Sequence, residues 1–299
     1  MFFVVIVLIA VCIGVPLIYS WRLLKLDMPS RGAWLIHVAD AAVFVALVLL
    51  VGRWDMAGYH IRFVLLAVFL GAVLWSFKRH VSRPWGMQGE SVHRQHWPTL
   101  VSLALFGAAL CYVIYGMLPP EEPEELAFPL KDGRFMVGQG GGIDLLNHHA
   151  THPEQRYAAD ITEINGFGYR ASGLAPKALD RYVIYGASVV SPCTGEVIGV
   201  RNDLPDLIPP DSDKDNPRGN HVIVDCGAFQ VELAHLQQGS VQVSTGVSVS
   251  AGDSIGKVGN SGNTTEPHLH VHAVDPETNA GVPMSFSGRA PVRNTLYEN

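Results

Sequence analysis

The sequence predicts an N-terminal all-α membrane domain with four transmembrane helices, followed by an all-β domain. Residues 1–118 consist of long apolar runs, each about as long as a helix must be to cross a bilayer. From residue 119 onward, Gly, Asp and Val dominate, and short β-branched runs alternate with turn residues. This second part has no helical apolar period of useful length, which indicates strands.

Four apolar segments are candidate membrane spans. The first has no basic residue before its apolar run and no small-residue cleavage site after it, so it predicts a retained helix rather than a signal peptide. The third is shortened by Arg62, and tryptophans suited to a membrane interface lie near the predicted ends. The segments are residues 2–19, 33–51, about 56–77 and 97–118.

Basic residues predict the orientation of these spans. Three lie between the first and second spans and four between the third and fourth, whereas two lie around the second connection. Connections rich in basic residues stay in the cytoplasm, so the first and third connections are expected there. Both ends of the membrane domain, and the β domain that follows it, are then expected outside the cytoplasm. In chain order these residues are Arg22, Lys25, Arg31, Arg53, Arg62, Lys78, Arg79, Arg83 and Arg94.

Two ionisable residues, His37 and Asp40, lie inside the second span, where such groups are functional suspects by default. Both are within about two turns of the predicted cytoplasmic end and can reach the interface. We therefore assign them no role.

A Pro- and Glu-rich segment, residues 119–125, follows the last span and contains Glu121, Glu122, Glu124 and Glu125. Its prolines and like charges favour a stiff, extended spacer that lifts the next domain off the bilayer. The predicted domains are therefore residues 1–118 (membrane), 119–141 (linker) and 142–299 (β-rich).

Five β-branched runs predict strands in the second part of the chain. Residues 202–219 are rich in Asp and Pro and too polar to pack, which predicts a long exposed loop. The predicted strands are residues 183–186, 195–200, 221–225, 230–235 and 254–258.

Charge differs between the two parts. Residues 1–118 hold nine Lys and Arg against four Asp and Glu, whereas residues 119–299 hold twelve against twenty-three. The acidic second part argues against a nucleic-acid partner, whose binding would depend on Lys and Arg. Cys193 and Cys226 lie in this part, and they either pair in an oxidising compartment or remain two buried thiols. The sequence contains no Cys-x-x-Cys pattern, which argues against a zinc site built from thiolates.

The densest chemistry lies near the C-terminus, where His268, His270 and His272 alternate with apolar residues. Successive side chains of a strand point to opposite faces, so these three imidazoles are expected on one face. Imidazole is the commonest metal ligand, and this face therefore predicts a metal site. His235 continues the parity of the apolar residues in residues 229–233, which directs it toward the core or a groove.

A second histidine group, His148, His149 and His152, precedes Asp160 at the head of an apolar run. One of these nitrogens and an Asp160 oxygen could join His270 in holding zinc. Three protein ligands leave a fourth position for water, as in catalytic zinc sites. Zinc makes that water acidic enough to attack an amide without a covalent intermediate.

The run from Gly252 to His270, with Gly-Asn-Ser-Gly before Glu-Pro-His-Leu-His, resembles the lysostaphin-type (LytM-like) peptidoglycan metallopeptidase family. His235-Leu236 and the segment from Tyr185 to Val197 resemble other parts of its β core, so the resemblance covers roughly residues 142–273. It implies a bacterial zinc endopeptidase that cuts peptide stems or cross-links of the cell wall. The four spans would anchor it in membrane lipid.

The resemblance also implies roles for individual residues. Asp160 and His270 would bind zinc, while His235 and His268 would orient the water, take its proton and stabilise the tetrahedral intermediate. His272 is expected to be an outer or solvent-facing residue.

The first zinc ligand departs from the family pattern, because Arg156 stands four residues before the aspartate, where the family usually has a histidine. A branch of the family with Asn-x-His upstream and Gln-Arg-Tyr-Ala before the aspartate resembles residues 147–160 here. This resemblance makes His149 the expected first ligand, with His148 and His152 as alternatives.

Two rival hypotheses stay open. In one, the same fold lacks a full zinc set and is catalytically silent, binding the wall or regulating another hydrolase, although no particular protein partner is indicated. It differs from the enzyme in whether a histidine replaces the missing ligand at Arg156. In the other, a sensor or transporter, the spans do the work, but they carry little buried polarity.

Overall fold

The computed structural model describes residues 2–86, 92–119 and 123–299, with residues 92–95 described by their backbone alone. Residues 3–115 form a helical unit, and residues 116–299 belong to a separate β-rich unit. The side chain of Arg94 and the spacer residues Glu121 and Glu122 lie outside the described part.

Among its described residues, the helical unit contains four helices that are long and apolar enough to cross a membrane, which confirms the predicted all-α membrane domain. Each predicted span coincides with one of them. A short fifth helix precedes the third span, and the two are separated by Gly58, whose φ of 100° lies in the left-handed region that favours glycine. The helices are α1 (Phe2–Lys25), α2 (Arg31–Val51), α3 (Trp54–Ala57), α4 (Tyr59–His80) and α5 (Val92–Met117).

Two polar side chains inside the helical unit, those of Trp34 and Asp40, are paired with residues of neighbouring helices. The Trp34 indole N–H donates to Ser76 Oγ at 2.9 Å, and Ser102 Oγ donates to Asp40 Oδ1 at 2.7 Å. Such pairs matter because an unpaired polar group in apolar surroundings costs several kcal/mol, roughly 2–7. Asp40 is thus hydrogen-bonded by a residue of a neighbouring helix.

The second unit is a β fold, as predicted, with only short 3₁₀ turns as helical structure among its described residues. A nine-stranded sheet runs in the order β13-β2-β3-β10-β7-β6-β5-β8, with β11 also paired to β10. Two small sheets, β1-β12 and β4-β9, complete the unit. The strands are β1 (Glu124–Leu126), β2 (Arg134–Gln139), β3 (Ala159–Glu163), β4 (Ser188–Val190), β5 (Gly195–Arg201), β6 (Asn220–Asp225), β7 (Gln230–Leu236), β8 (Ser248–Val249), β9 (Ser254–Lys257), β10 (Leu269–Val274), β11 (Gly281–Val282), β12 (Met284–Phe286) and β13 (Leu296–Glu298).

Two features of this unit differ from the sequence predictions. Residues 183–186 form turns rather than a strand, because Gly186 has a φ of 82° and the Ala187 N–H bonds back to the Ile184 carbonyl. The strands β1 and β2 lie in the segment assigned to the linker. β2 carries Phe135 and Val137, which are fully buried, so burial of its apolar face outweighs the polar character of its surroundings.

One core lies behind the long sheet. Alternate residues of β7 and β10, such as Val231, Leu233, Leu269 and Val271, are fully buried in it, which leaves the opposite face of these strands for polar side chains. Cys193 and Cys226 form a disulfide, with their Cα atoms 6.0 Å apart, so these cysteines are paired rather than two buried thiols.

Candidate metal centre

Strand β10 positions two histidines of the candidate site, His270 and His272. It lies between β3 and β7, with His270 opposite Asp160 on one side and opposite Ala234 on the other. Side chains at such paired positions share one face of the sheet. His270 and His272 are therefore on the polar face, as the alternation predicts, while Leu269 and Val271 enter the core.

His235 reaches the same face through a β-bulge. Its φ is 63°, and the register between β6 and β7 shifts between Asn220 and Val222. In a regular strand the parity of its apolar neighbours would have sent this side chain toward the core. The bulge instead brings the His235 ring centroid to 4.9 Å from that of His268. A non-glycine residue at positive φ costs free energy and is often found at functional sites.

Asp160 is the centre of the group. Its Oδ1 lies 3.0 Å from His149 Nε2, 2.9 Å from His270 Nδ1 and 3.6 Å from His268 Nε2. The Asp160 side chain is 11% exposed, so these three rings replace most of its water. The residues predicted from the sequence as metal ligands thus converge on one carboxylate.

The loop that carries His149 is fixed by Asn147. The Asn147 side chain accepts a hydrogen bond from the His149 N–H at 3.1 Å, and its amide donates to the carbonyl of Ala158 at 3.0 Å, directly before β3. Asn147 is completely buried and caps the 3₁₀ turn His148–Thr151. It therefore ties the histidine loop to the strand that carries Asp160.

The other upstream residues take different positions. His152 is exposed and Arg156 is exposed beside the ring of Tyr157, so neither contacts the carboxylate. A nitrogen of His148 does lie within 4.8 Å of the ligand atoms of His149 and Asp160, although its side chain is exposed. We favour His149 over His148 because its Nε2 approaches both Asp160 oxygens, at 3.0 and 3.1 Å.

Two backbone carbonyls set the tautomers of the remaining histidines. His235 Nδ1 lies 2.9 Å from the Ser261 carbonyl, and His268 Nδ1 lies 2.9 Å from the Glu266 carbonyl. A carbonyl only accepts, so both Nδ1 atoms carry the proton and donate it. Each ring then keeps an Nε2 lone pair that can take a proton.

The turn that supplies these carbonyls is held by a buried ion pair that sequence reasoning missed. The Arg170 guanidinium donates to both carboxylate oxygens of Glu266, at 2.6 to 3.0 Å, and the Arg170 side chain is 3% exposed. Bidentate pairs of this kind fix direction as well as distance. From the other side, Asp206 in the long loop 202–219 accepts a hydrogen bond from the Asn260 N–H.

Burial and neighbouring charges shift the pKa values of several residues of the site. Burial alone would raise the pKa of Asp160, but the charges of His149 and His268 outweigh it and hold that pKa well below its usual value. Burial lowers the pKa of His149, yet the Asp160 carboxylate more than compensates, and the net shift is upward. His235 has its pKa lowered well below the ordinary value, first by burial and then by the neighbouring His268, so its ring is neutral at pH 7.

The donor set of His149, Asp160 and His270 fits zinc. Two imidazole nitrogens and one carboxylate oxygen are a common set of protein ligands in catalytic zinc sites. The three side chains come from a loop and two paired strands that fix their positions. The site face therefore presents a compact nitrogen and oxygen cluster with two further imidazoles, His235 and His268, at its edge.

Glu232 lies on the same face, opposite His272 in the register of β7 and β10. Burial raises its pKa to about 7, although Arg218 Nε at 2.9 Å opposes the shift. The Arg218 side chain is 56% exposed, so water screens its charge and burial dominates.

The stability of the sheet should therefore fall as pH rises. The folded state keeps a Glu232 proton that the unfolded chain releases, so the free energy of unfolding decreases between about pH 4.5 and pH 7. In the wild type this decrease in the free energy of unfolding amounts to up to about 3 kcal/mol, and a Glu232→Gln variant should not show it. Amide hydrogen exchange of β7 in the full-length protein, at pH 5 and pH 8, measures the difference in stability between the two pH values. Parallel pH profiles of the two proteins would contradict this assignment.

One protein-family model matches part of the β-rich unit. Residues 176–281 match the profile of Peptidase family M23. His235, His268 and His270 lie inside the matched segment, whereas His149 and Asp160 precede it. The comparison with curated proteins gave no match.

The solved structures that match this chain include three peptidases. A zinc-containing peptidase from Vibrio cholerae is 21% identical, with 54% of this chain and 39% of that chain covered and a TM-score of 0.33. The putative peptidase M23 from Pseudomonas aeruginosa is 25% identical, with 38% and 49% covered and a TM-score of 0.26. Lysostaphin from Staphylococcus simulans is 21% identical, with 35% and 41% covered and a TM-score of 0.22.

The chain thus spans less than half the length of each of these structures. The family match and the histidines of β10 fall in the same β unit, which follows the apolar helices in the chain. The family match therefore concerns residues 176–281 of the β-rich unit, which are similar to Peptidase family M23.

Proposed function

We propose that the chain is a membrane-anchored zinc endopeptidase that hydrolyses amide bonds in peptidoglycan peptides, in stems or cross-links. The observation that carries the proposal is the convergence of His149 and His270 on Asp160 Oδ1, at 3.0 and 2.9 Å, beside an M23 domain. Zinc bound by these three residues would lower the pKa of a bound water to about 7 and polarise the substrate carbonyl.

The two remaining histidines, His235 and His268, would accept and donate protons during the reaction. His235 is buried and neutral, and its Nε2 lone pair can take a proton from an attacking water. His268, whose Nε2 lies on the Asp160 side, can donate a hydrogen bond to the developing oxyanion once it holds a proton. Because Ser261 and Glu266 fix both Nδ1 atoms, neither ring has to turn during the reaction.

Two independent observations support an extracytoplasmic location for the β unit. The basic connections of the spans predict it by the positive-inside rule. The Cys193–Cys226 disulfide supports the same side, because disulfides persist in oxidising compartments. An anchor of four apolar helices would confine the activity to the wall nearest the membrane.

Metal removal tests this function. Full-length protein in detergent is incubated with purified peptidoglycan before and after zinc is stripped with a chelator. New peptide amino termini should appear with the zinc-loaded protein, fall by at least about 100-fold after stripping, and return when zinc is restored. A zinc-loaded protein that binds the wall but releases no termini would instead support a catalytically silent wall-binding module.

A further inference from the structure

His272 lies against the far side of the metal-facing imidazole. The His272 Nδ1 atom is 3.1 Å from His270 Nε2, while His270 Nδ1 lies 2.9 Å from Asp160 Oδ1. The side chain of His272 is buried, with 4% of the residue exposed, so it is not solvent-facing. The His270 ring therefore has a partner at hydrogen-bond distance on each of its two nitrogens.

We propose that His272 is a positioning residue, which accepts a hydrogen bond from the His270 Nε2–H and so keeps the His270 Nδ1 lone pair directed at the metal centre. The inference rests on the proposed function in so far as His270 is taken as a zinc ligand. An imidazole that binds a metal through Nδ1 must carry its proton on Nε2. A buried N–H of this kind needs an acceptor, and metal-bound histidines almost always have one.

Other groups at the site do not take this role in the structure. Asp160 faces the opposite nitrogen of His270, and the rings of His235 and His149 lie at its sides, with centroids at 5.8 and 4.6 Å. The His270 and His272 rings are inclined by 64° with centroids 5.2 Å apart, which suits an in-plane N–H pointing at a lone pair.

The backbone makes this contact rigid. His270 and His272 are two residues apart on β10, which is paired with β7 at both positions, opposite Ala234 and Glu232. Neither residue can shift along the strand without breaking this register. The contact therefore fixes the plane of the His270 ring rather than merely filling space.

Zinc affinity of the full-length protein in detergent, measured by competition with a coloured chelator, tests the proposal. His272→Ala should bind zinc about 10- to 100-fold more weakly, the usual loss for an outer partner of a metal ligand. His272→Asn, whose amide oxygen can accept the same hydrogen bond, should bind within about threefold of the wild type. The exposed His152→Asn serves as the matched control and should bind as the wild type does.

Rescue by asparagine separates positioning from packing. The visible absorption of the Co²⁺-substituted protein should be altered in His272→Ala and preserved in His272→Asn, since it reports ligand geometry. If His272→Ala does not fold, His272→Phe fills the space without an acceptor and takes its place. Wild-type affinity in His272→Ala, or equal weakness of the Ala and Asn variants, would overturn the proposal.

The outcome also separates this inference from the proposed function. Zinc affinities in the expected order, together with no cleavage of peptidoglycan, would support the role of His272 and refute the peptidase. Cleavage by the wild type with unchanged zinc affinity in His272→Ala would do the reverse. A wild-type protein that binds no zinc would overturn both.

Discussion

Replacing His149 by alanine is expected to abolish stoichiometric zinc binding. His149 Nε2 is within 3.1 Å of both Asp160 oxygens and supplies one of only three proposed protein ligands. Loss of an outer partner weakens metal binding by about 10- to 100-fold, so loss of a direct ligand should exceed about 100-fold. Metal content of the full-length protein after gel filtration measures this effect.

The neighbouring histidines provide matched controls. His152→Ala should keep one zinc, because His152 is exposed and stands outside the group around Asp160. His148→Ala should keep most of the zinc, since the His148 ring packs against that of His149, with centroids 3.8 Å apart and a tilt of 37°, but is itself exposed. Asp160→Asn should lose zinc as His149→Ala does. Full zinc occupancy in His149→Ala, with loss in His148→Ala, would transfer the role to His148.

Replacing His235 by alanine should lower the rate of peptide release by about 10²- to 10⁴-fold, the usual contribution of a general base or acid. The reason is that His235 offers a neutral Nε2 at the edge of the cluster, while its Nδ1 is held by Ser261 at 2.9 Å. Zinc content should stay at the wild-type value, because the nearest proposed ligand ring, His270, is 5.8 Å away.

His221→Ala is the control for this variant. His221 makes the same kind of contact, from Nδ1 to the Gly219 carbonyl at 2.8 Å, but on β6. It should retain the wild-type rate. A His235→Ala protein that releases peptide termini as fast as His221→Ala would remove His235 from the chemistry, and loss of zinc from His235→Ala would mean that it acts on the metal instead.

The strand that carries His270 and His272 could be predicted because its signal is local, whereas His268 directly precedes the strand. Alternation of apolar and polar residues fixes which face each side chain takes, and β10 follows that rule from Leu269 to Ala273. The position of His235 could not be obtained in this way. It depends on a bulge between β6 and β7, which is set by pairing of distant residues rather than by the sequence of β7.

Long-range contacts also account for the other surprises. Asn147 positions His149 through hydrogen bonds to Gly141 and Ala158, and nothing in its immediate sequence shows these partners. The pair of Arg170 and Glu266 joins residues 96 positions apart. Part of the segment predicted as a linker forms strand β2, because these residues pair with β3. Spacing alone does not reveal such partners.

The most direct test of the central claim is the position at which water oxygen enters the product. Peptidoglycan is digested by the full-length zinc-loaded protein in ¹⁸O-labelled water, and the fragments are analysed by mass spectrometry. Hydrolysis of an amide by water predicts one labelled oxygen in a new peptide carboxyl group, paired with a new amino terminus, and none with the metal-stripped protein. Label at a sugar reducing end, or no released fragment at all, would contradict it.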